Sequence, residues 1–317
     1  MSDSSAIEWT DATWNPATGC TKVSQGCKNC YAERDWARLS ANPKTVYYQR
    51  KFTDVAVHRD RLDTPLRWRK PRRIFVNSMS DLFHEDVPWE FIDAVFGVMA
   101  VTQHSYQILT KRPARMLDYF QRLKLDPPFG FPDRVSHRAM EFIRYTGKGH
   151  GNCGPSWPLK NVWLGVSVED QATADERIPL LLQTPAAVRW ISAEPLLGPI
   201  TFEGRWVEYQ DPRAHENQLE RLSWVVAGGE SGPRSRPSHP DWFRSLRDQC
   251  AAVSVPFFFK QWGEWGIDFD TPYASDDDVP EPDSACHVWP DRYVSWRSGK
   301  RANGRLLDGR THDEYPA

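Results

Sequence analysis

VWLGVSVEDQATADERIPLLLQTPAAVRWISAE, residues 162–194, decides the fold. It opens on an apolar run rich in β-branched residues, VWLGVSVE (162–169), and closes on another, VRWISAE (188–194). Apolar runs without polar alternation predict strands buried on both faces, as in a parallel sheet. Between them DQATADERIPLLLQ (170–183) reads as an amphipathic helix. Two parallel strands need such a crossover, and the right-handed strand–helix–strand unit is the expected form.

The same unit extends in both directions. RIFVNSMSD (73–81), YQILTKR (106–112), LSWVVAGGE (222–230) and VPFFFKQ (255–261) read as further strands, and IEWTDATW (7–14) as a weaker one. WEFIDAVFGVMAVT (89–102), ARMLDYFQRL (114–123) and PDWFRSLRDQCAAV (240–253) read as helices between them; in the first, Phe91, Val95, Val98 and Val101 fall on one side. This alternation predicts an α/β chain, a full or partial (β/α) barrel of about six to seven parallel strands, with a doubly wound open sheet as the alternative. In both, chemistry gathers at the carboxyl ends of the strands. The reading is one barrel domain over 1–317. It carries a Pro- and Gly-rich insertion at 126–160, a polar one at 203–221 and a C-terminal segment at 292–317. The stretch 264–291 holds nine acids and no Lys or Arg, and reads as a solvated, partly disordered loop.

Composition narrows the function classes. With 40% apolar and 26% charged residues over 317, a folded globular protein is expected. No run of 18 apolar residues exists, which excludes a transmembrane helix, and the N-terminus lacks the apolar core of a secretory signal. A cytoplasmic address with reduced thiols is therefore expected. A net charge of −2 excludes a uniformly basic nucleic-acid coat but not a local patch. Fifteen Trp point either to a heavily stacked core or to an aromatic ligand groove.

The main chemical signal is GCTKVSQGCKNCYA, which places Cys20, Cys27 and Cys30 between the first strand and a helix at YAERDWARLSA. Three thiolates on one loop suit a single metal centre, with Gly19 and Gly26 where the backbone bends. In a [4Fe–4S] cluster three thiolates leave one iron open for a substrate or cofactor. Structural zinc is the rival, but it wants a fourth ligand, and Cys153, Cys250 and His58 are lone candidates from distant segments. Three coincidental buried cysteines are the remaining reading.

A three-cysteine loop after the first strand of a (β/α) barrel resembles the radical S-adenosylmethionine superfamily. More closely, the chain resembles a phage and bacterial family of radical-SAM-like three-cysteine proteins of unassigned activity. That resemblance rests on EWTDATWNPATGCTKVSQGCKNCYA, FVNSMSDLFHEDVP, LTKRP, LGVSVE, ISAEPLLGPI, GGESGPRSRP, FFKQWGEW and LLDGRTHDEYP, which together span most of the chain. Six residues separate the first two cysteines where the superfamily has three, and Asn29 stands where it usually has an aromatic.

The resemblance implies a [4Fe–4S] cluster on Cys20, Cys27 and Cys30, with S-adenosylmethionine chelating its open iron. The methionyl amine would fall by position on Asn77, Ser78 or Asp81, without the superfamily's Gly-Gly-Glu signature. The strand ends offer further holders: Lys111 and Arg112 for a carboxylate or phosphate, Ser167 and Glu169 for ribose hydroxyls, Glu194, and the Gly228–Gly229–Glu230 run for close approach of a flat adenine. Each has a structural counterpart as a cap, an ion pair or a turn. DLFHEDVP sets His84 among carboxylates as a candidate proton relay with Asp81, while Asp86 reads as the cap of the helix after Pro88.

Residues 31–73 hold twelve Lys or Arg against five acids, interleaved with Trp36, Tyr47, Tyr48 and Trp68. That stripe suits a nucleic acid or nucleotide substrate, or else internal ion pairs. KQWGEW (260–265) and the pair Trp9/Trp14 read either as stacking shelves or as core. The expected activity is therefore reductive cleavage of S-adenosylmethionine to a 5′-deoxyadenosyl radical, with an external electron donor. The alternative is a non-catalytic Fe–S or zinc-stabilised module working with a protein partner.

Overall fold

The computed structural model describes residues 5–123, 125–126, 131–148, 157–202, 218–268 and 271–317. Seven strands form one all-parallel sheet: β1 (Ala12–Trp14), β2 (Arg73–Val76), β3 (Ser105–Thr110), β4 (Val162–Ser167), β5 (Val188–Ala193), β6 (Trp224–Gly228) and β7 (Phe257–Gln261). Their spatial order repeats their order in the chain, from β1 at one edge to β7 at the other. A doubly wound sheet reverses its order at a switch point, and this one never does. The fold is thus a partial (β/α) barrel.

The strands form where the sequence predicts them because their burial is two-sided. All five residues of β6 are buried, as are five of six in β4. The longer helices fall at α1 (Tyr31–Ser40), α2 (Trp89–Ala100), α3 (Pro113–Arg122), α4 (Asp133–Thr146), α5 (Gln171–Gln183) and α6 (Pro240–Ala252). α2 is buried continuously from Phe91 to Met99, not along one stripe. The reason is α4, which packs against it: a Cβ on Gly97 would lie 2.9 Å from the Arg138 Cβ.

The chain divides into two compact units. One comprises Met1–Val23, Ala32–Val166 and Leu180–Arg189; the other comprises Ser24–Tyr31, Ser167–Pro179 and Trp190–Ala317. In the first, Trp14 is fully buried against Tyr106, and Trp9 meets Phe75 edge-on at 4.8 Å. In the second, Trp224 packs between Trp190, Phe258 and Tyr315. Six of the fourteen described tryptophans, Trp9, Trp14, Trp36, Trp190, Trp224 and Trp262, are buried core, and the other eight are half-buried. The C-terminal segment joins that core, since the Trp224 indole donates to the Glu314 carbonyl at 2.8 Å and Phe259 N–H to the His312 carbonyl at 3.0 Å.

Three local expectations are corrected. The insertion at 126–160, whose Pro- and Gly-rich composition suits a lid, binding loop or mobile segment more than core, carries α4, whose Val135 and Ala139 are fully buried, so part of it is core; Cys153 and residues 149–156 lie outside the described residues, as do 203–217 of the second insertion. The acidic stretch is no bare loop. It contributes β8 (Gly266–Ile267) and β9 (Cys286–Val288) to a small antiparallel sheet with β10 (Val294–Trp296). Asp86 does not cap α2. Pro88 occupies that position with no side-chain cap, and its carbonyl takes the first helical N–H groups, from Phe91 and Ile92.

Candidate functional site

The cysteine loop begins in the first unit. Gly19 has φ +91°, and a Cβ there would lie 2.6 Å from the Asp54 carbonyl oxygen. No other residue fits so close a backbone crossing. Cys20 N–H donates to the Phe52 carbonyl at 2.9 Å, and Gly19 N–H to that of Met79 at 3.1 Å, pinning the loop to the end of β2.

The Cys20 side chain meets Arg112, two residues past the end of β3. Arg112 Nη1 donates to Cys20 Sγ at 3.6 Å, and Nη2 donates to the Thr21 hydroxyl at 2.8 Å and its carbonyl at 3.2 Å. The guanidinium is itself held by Asp81 Oδ2 at 3.4 Å and by both Glu85 oxygens at 3.0 and 3.1 Å. Burial alone would lower the Arg112 pKa, but Asp81, the Cys20 sulfur and Glu85 outweigh it and keep the group charged.

Asp81 anchors this arrangement. Its carboxylate accepts from the Thr110 hydroxyl at 2.7 and 2.9 Å, from Phe83 and Lys111 N–H at 3.0 Å each, and from Arg112. Such saturation makes it a buried structural carboxylate. His84 is buried too. Its Nδ1 accepts from Asp86 N–H at 3.1 Å, so Nε2 carries the proton and donates to the Thr21 hydroxyl at 2.9 Å. Burial, then Arg112, push its pKa down and keep the ring neutral at pH 7. His84 therefore positions the loop beside Cys20.

Asn77, at the end of β2, has φ +63° and is 3% exposed, with its Oδ1 3.4 Å from the Ala17 N–H. Its Nδ2 is buried with no hydrogen-bond partner among the described residues. Ser78 exchanges hydrogen bonds with the Asn15 side chain at 3.1 and 3.2 Å. The Lys111 backbone serves Asp81.

In the second unit, Cys27 closes a 3₁₀ turn, Gln25–Cys27, and Cys30 precedes Tyr31. A Cβ on Gly26 would lie 2.5 Å from the Glu169 side chain, so glycine here answers a close approach, not a positive φ. Glu169 is fully buried and pairs with Arg177 Nη1 at 3.2 Å, while Arg177 also donates to the Ser167 carbonyl at 2.8 Å. Asn29 bridges the loop to Glu230 at 3.0 Å and to the Arg234 carbonyl at 2.6 Å. Arg236 binds Glu230 through Nε at 2.9 Å and also reaches the Gln25 carbonyl at 3.0 Å. Burial pushes the Glu230 carboxyl up, but the Arg236 and Asn29 hydrogen bonds prevail and hold it below the usual carboxylate range.

Glu194 takes Lys260 at 2.8 Å and Gln261 at 3.1 Å. A Cβ on Gly229 would sit 1.8 Å from the Trp262 carbonyl oxygen, so its closest neighbour is backbone. Gly228 is milder, its Cβ position 3.4 Å from the Glu194 carboxyl carbon. The KQWGEW tryptophans are structural: Trp262 packs on Phe243 and Phe259, and Trp265 donates to the Ser235 carbonyl at 2.9 Å.

The described cysteines are thiols, outside any disulfide, and they fall into two classes. Cys250 and Cys286 are buried, and burial pushes both thiols up. Cys20, Cys27 and Cys30 are partly accessible. His239, Asp241 and Asp291 also present ligand-type atoms within 4.8 Å of one another. There His239 Nδ1 accepts from Asp241 N–H at 3.2 Å, so Nε2 keeps its proton and faces Asp291, while Asp241 pairs with Arg244 at 2.8 Å. That group is a helix cap with its ion pair.

The basic stripe is only partly aromatic at its surface. Trp36 and Tyr47 are buried, and Trp36 packs on Tyr47 and Phe52, whereas Trp68 meets His104 and Arg72. Lys44, Tyr48, Lys51, Arg59, Arg69 and Lys70 are exposed.

The family described as "Protein of unknown function (DUF5131)" matches residues 4–316. The chain belongs to this family. No curated protein and no solved structure matches it. No helix among the described residues is long and apolar enough to cross a membrane.

Sequence reasoning named the residues at both ends of the cysteine loop but not what they touch. Arg112 was legible as a strand-end cation, and its bond to Cys20 was not. Thr21 and Arg236 lie inside the motifs GCTKVSQGCKNCYA and GGESGPRSRP, yet neither they nor Arg177 showed a role until the fold supplied a charged neighbour.

Proposed function

We propose that this chain is an iron–sulfur enzyme of the radical S-adenosylmethionine type, with Cys20, Cys27 and Cys30 as cluster ligands. The observation that carries the reading is the guanidinium of Arg112 at 3.6 Å from Cys20 Sγ. A fixed cation favours the thiolate that ligates iron. The donor set agrees: three partly accessible thiols lie within eleven residues, set apart from two buried ones. Reduced by an external donor, a bound cluster of this kind supplies the electron that splits S-adenosylmethionine into methionine and a 5′-deoxyadenosyl radical. For S-adenosylmethionine, support rests on Asn77, whose buried Nδ2 needs an acceptor such as a carboxylate.

A second reading has its own observation. Glu169, Glu194 and Glu230 are already bound to Arg177, Lys260 and Arg236, as they would be in a metal-stabilised module that takes no cofactor. Anaerobic reconstitution with iron and sulfide, then dithionite and S-adenosylmethionine, separates the two. Release of 5′-deoxyadenosine supports the enzyme; an intact cluster without it supports the module; protein that binds no iron sinks both iron readings and leaves zinc.

The substrate class we propose is nucleic acid or nucleotide, supported by the exposed cations from Lys44 to Lys70. Retention on single-stranded DNA or RNA at low salt, weakening as salt rises, is the expected result, and no retention removes the motive for it. A reducing, cytoplasmic compartment completes the reading.

A further inference from the structure

Arg112 does more than fill a strand end. It is buried and gripped by Asp81, Glu85 and Thr21, so its guanidinium cannot swing away from Cys20. We infer that Arg112 is a positioning residue that sets the reduction potential of the iron centre through Cys20. The inference rests on the cluster reading above and adds a residue to it.

Reduction adds one electron from an external reductant to the cluster and its thiolates. A cation donating to one ligating sulfur stabilises the more negative, reduced state and raises the potential. Glu85 works against it. Its carboxylate sits on Arg112 Nε, with its side chain 63% exposed, and offsets part of the positive charge that Cys20 meets. Neutralising Glu85 should therefore raise the potential, and neutralising Arg112 should lower it. A residue that merely braced the loop would not produce shifts of opposite sign.

The test compares full-length wild type, R112K, R112Q and E85Q, each reconstituted anaerobically and titrated with dithionite while the reduced-cluster EPR signal is followed. The expected order of potentials is E85Q highest, then wild type, R112K and R112Q. R112Q leaves Asp81 buried without its cation; where that variant misfolds, E85Q and R112K decide. Coincident potentials, or an E85Q potential at or below wild type, overturn the inference while the cluster reading stands. Wild type that takes up no iron overturns both.

Discussion

Two carboxylates flank Arg112, and their burial separates their worth. The Asp81 side chain is 7% exposed and accepts from four groups, whereas the Glu85 side chain is 63% exposed. Removing one partner of a buried pair strands the other charge, at a cost of about 3–5 kcal/mol. An exposed pair is worth about 1 kcal/mol or less. Asp81→Asn should therefore lower the unfolding free energy in urea by about 3 kcal/mol, and Glu85→Gln by no more than about 1 kcal/mol. Equal effects would refute the assignment of Asp81 as the anchor. Gly26→Ala tests the other half of the loop. Its Cβ would meet Glu169, which is held by Arg177 and has no room to withdraw, so a loss of about 1–3 kcal/mol is expected by the same measurement.

At the scale of elements, the strands and most helices were legible because two-sided burial and helical period are local properties of the chain. α4 was not, since its apolar residues sit in a Pro- and Gly-rich context and gain meaning only against α2. The acidic stretch misled for a related reason: β8 and β9 are two and three residues long, too short to show a period. α6 provides an element-level test of the two cysteine classes. Cys250 lies on its buried face, and replacing it with serine places a hydroxyl there at a cost of about 1–3 kcal/mol. Cys250→Ser should thus melt earlier yet bind as much iron as wild type, whereas Cys20→Ser should lose iron. The reverse pattern in an iron assay would defeat the proposed ligand set.

For the whole molecule, acid is the expected weakness. Burial, with Arg61 and Arg50 close by, lowers the His58 pKa from 6.5 to about 4. The Thr18 hydroxyl lies 2.8 Å from His58 Nε2 and also accepts from Arg50 at 3.1 Å. Burial is also the largest cause lowering His104, His287 and His312. A histidine depressed on folding binds its proton more readily in the unfolded chain, so stability falls as pH drops from 6.5 towards 4. Glu230, depressed as a carboxylate, adds stability above its ordinary value that is lost at still lower pH. Thermal midpoints read by circular dichroism should decline across that window, and His58→Asn should flatten the decline. An unchanged slope in that variant would exclude His58 as a contributor.

The alternation of seven strands with their crossovers, and the spacing of three cysteines on the first loop, can be read from chain order alone. Both are written in neighbouring residues and survive without knowledge of the fold. Which charge each strand end meets emerges on folding: Arg112 reaches Cys20 across 92 positions of chain, and Lys260 reaches Glu194 across 66. A buried charge must find a partner, but the chain offers many of either sign. Which one it finds depends on where parallel strands end side by side, and no local pattern carries that information.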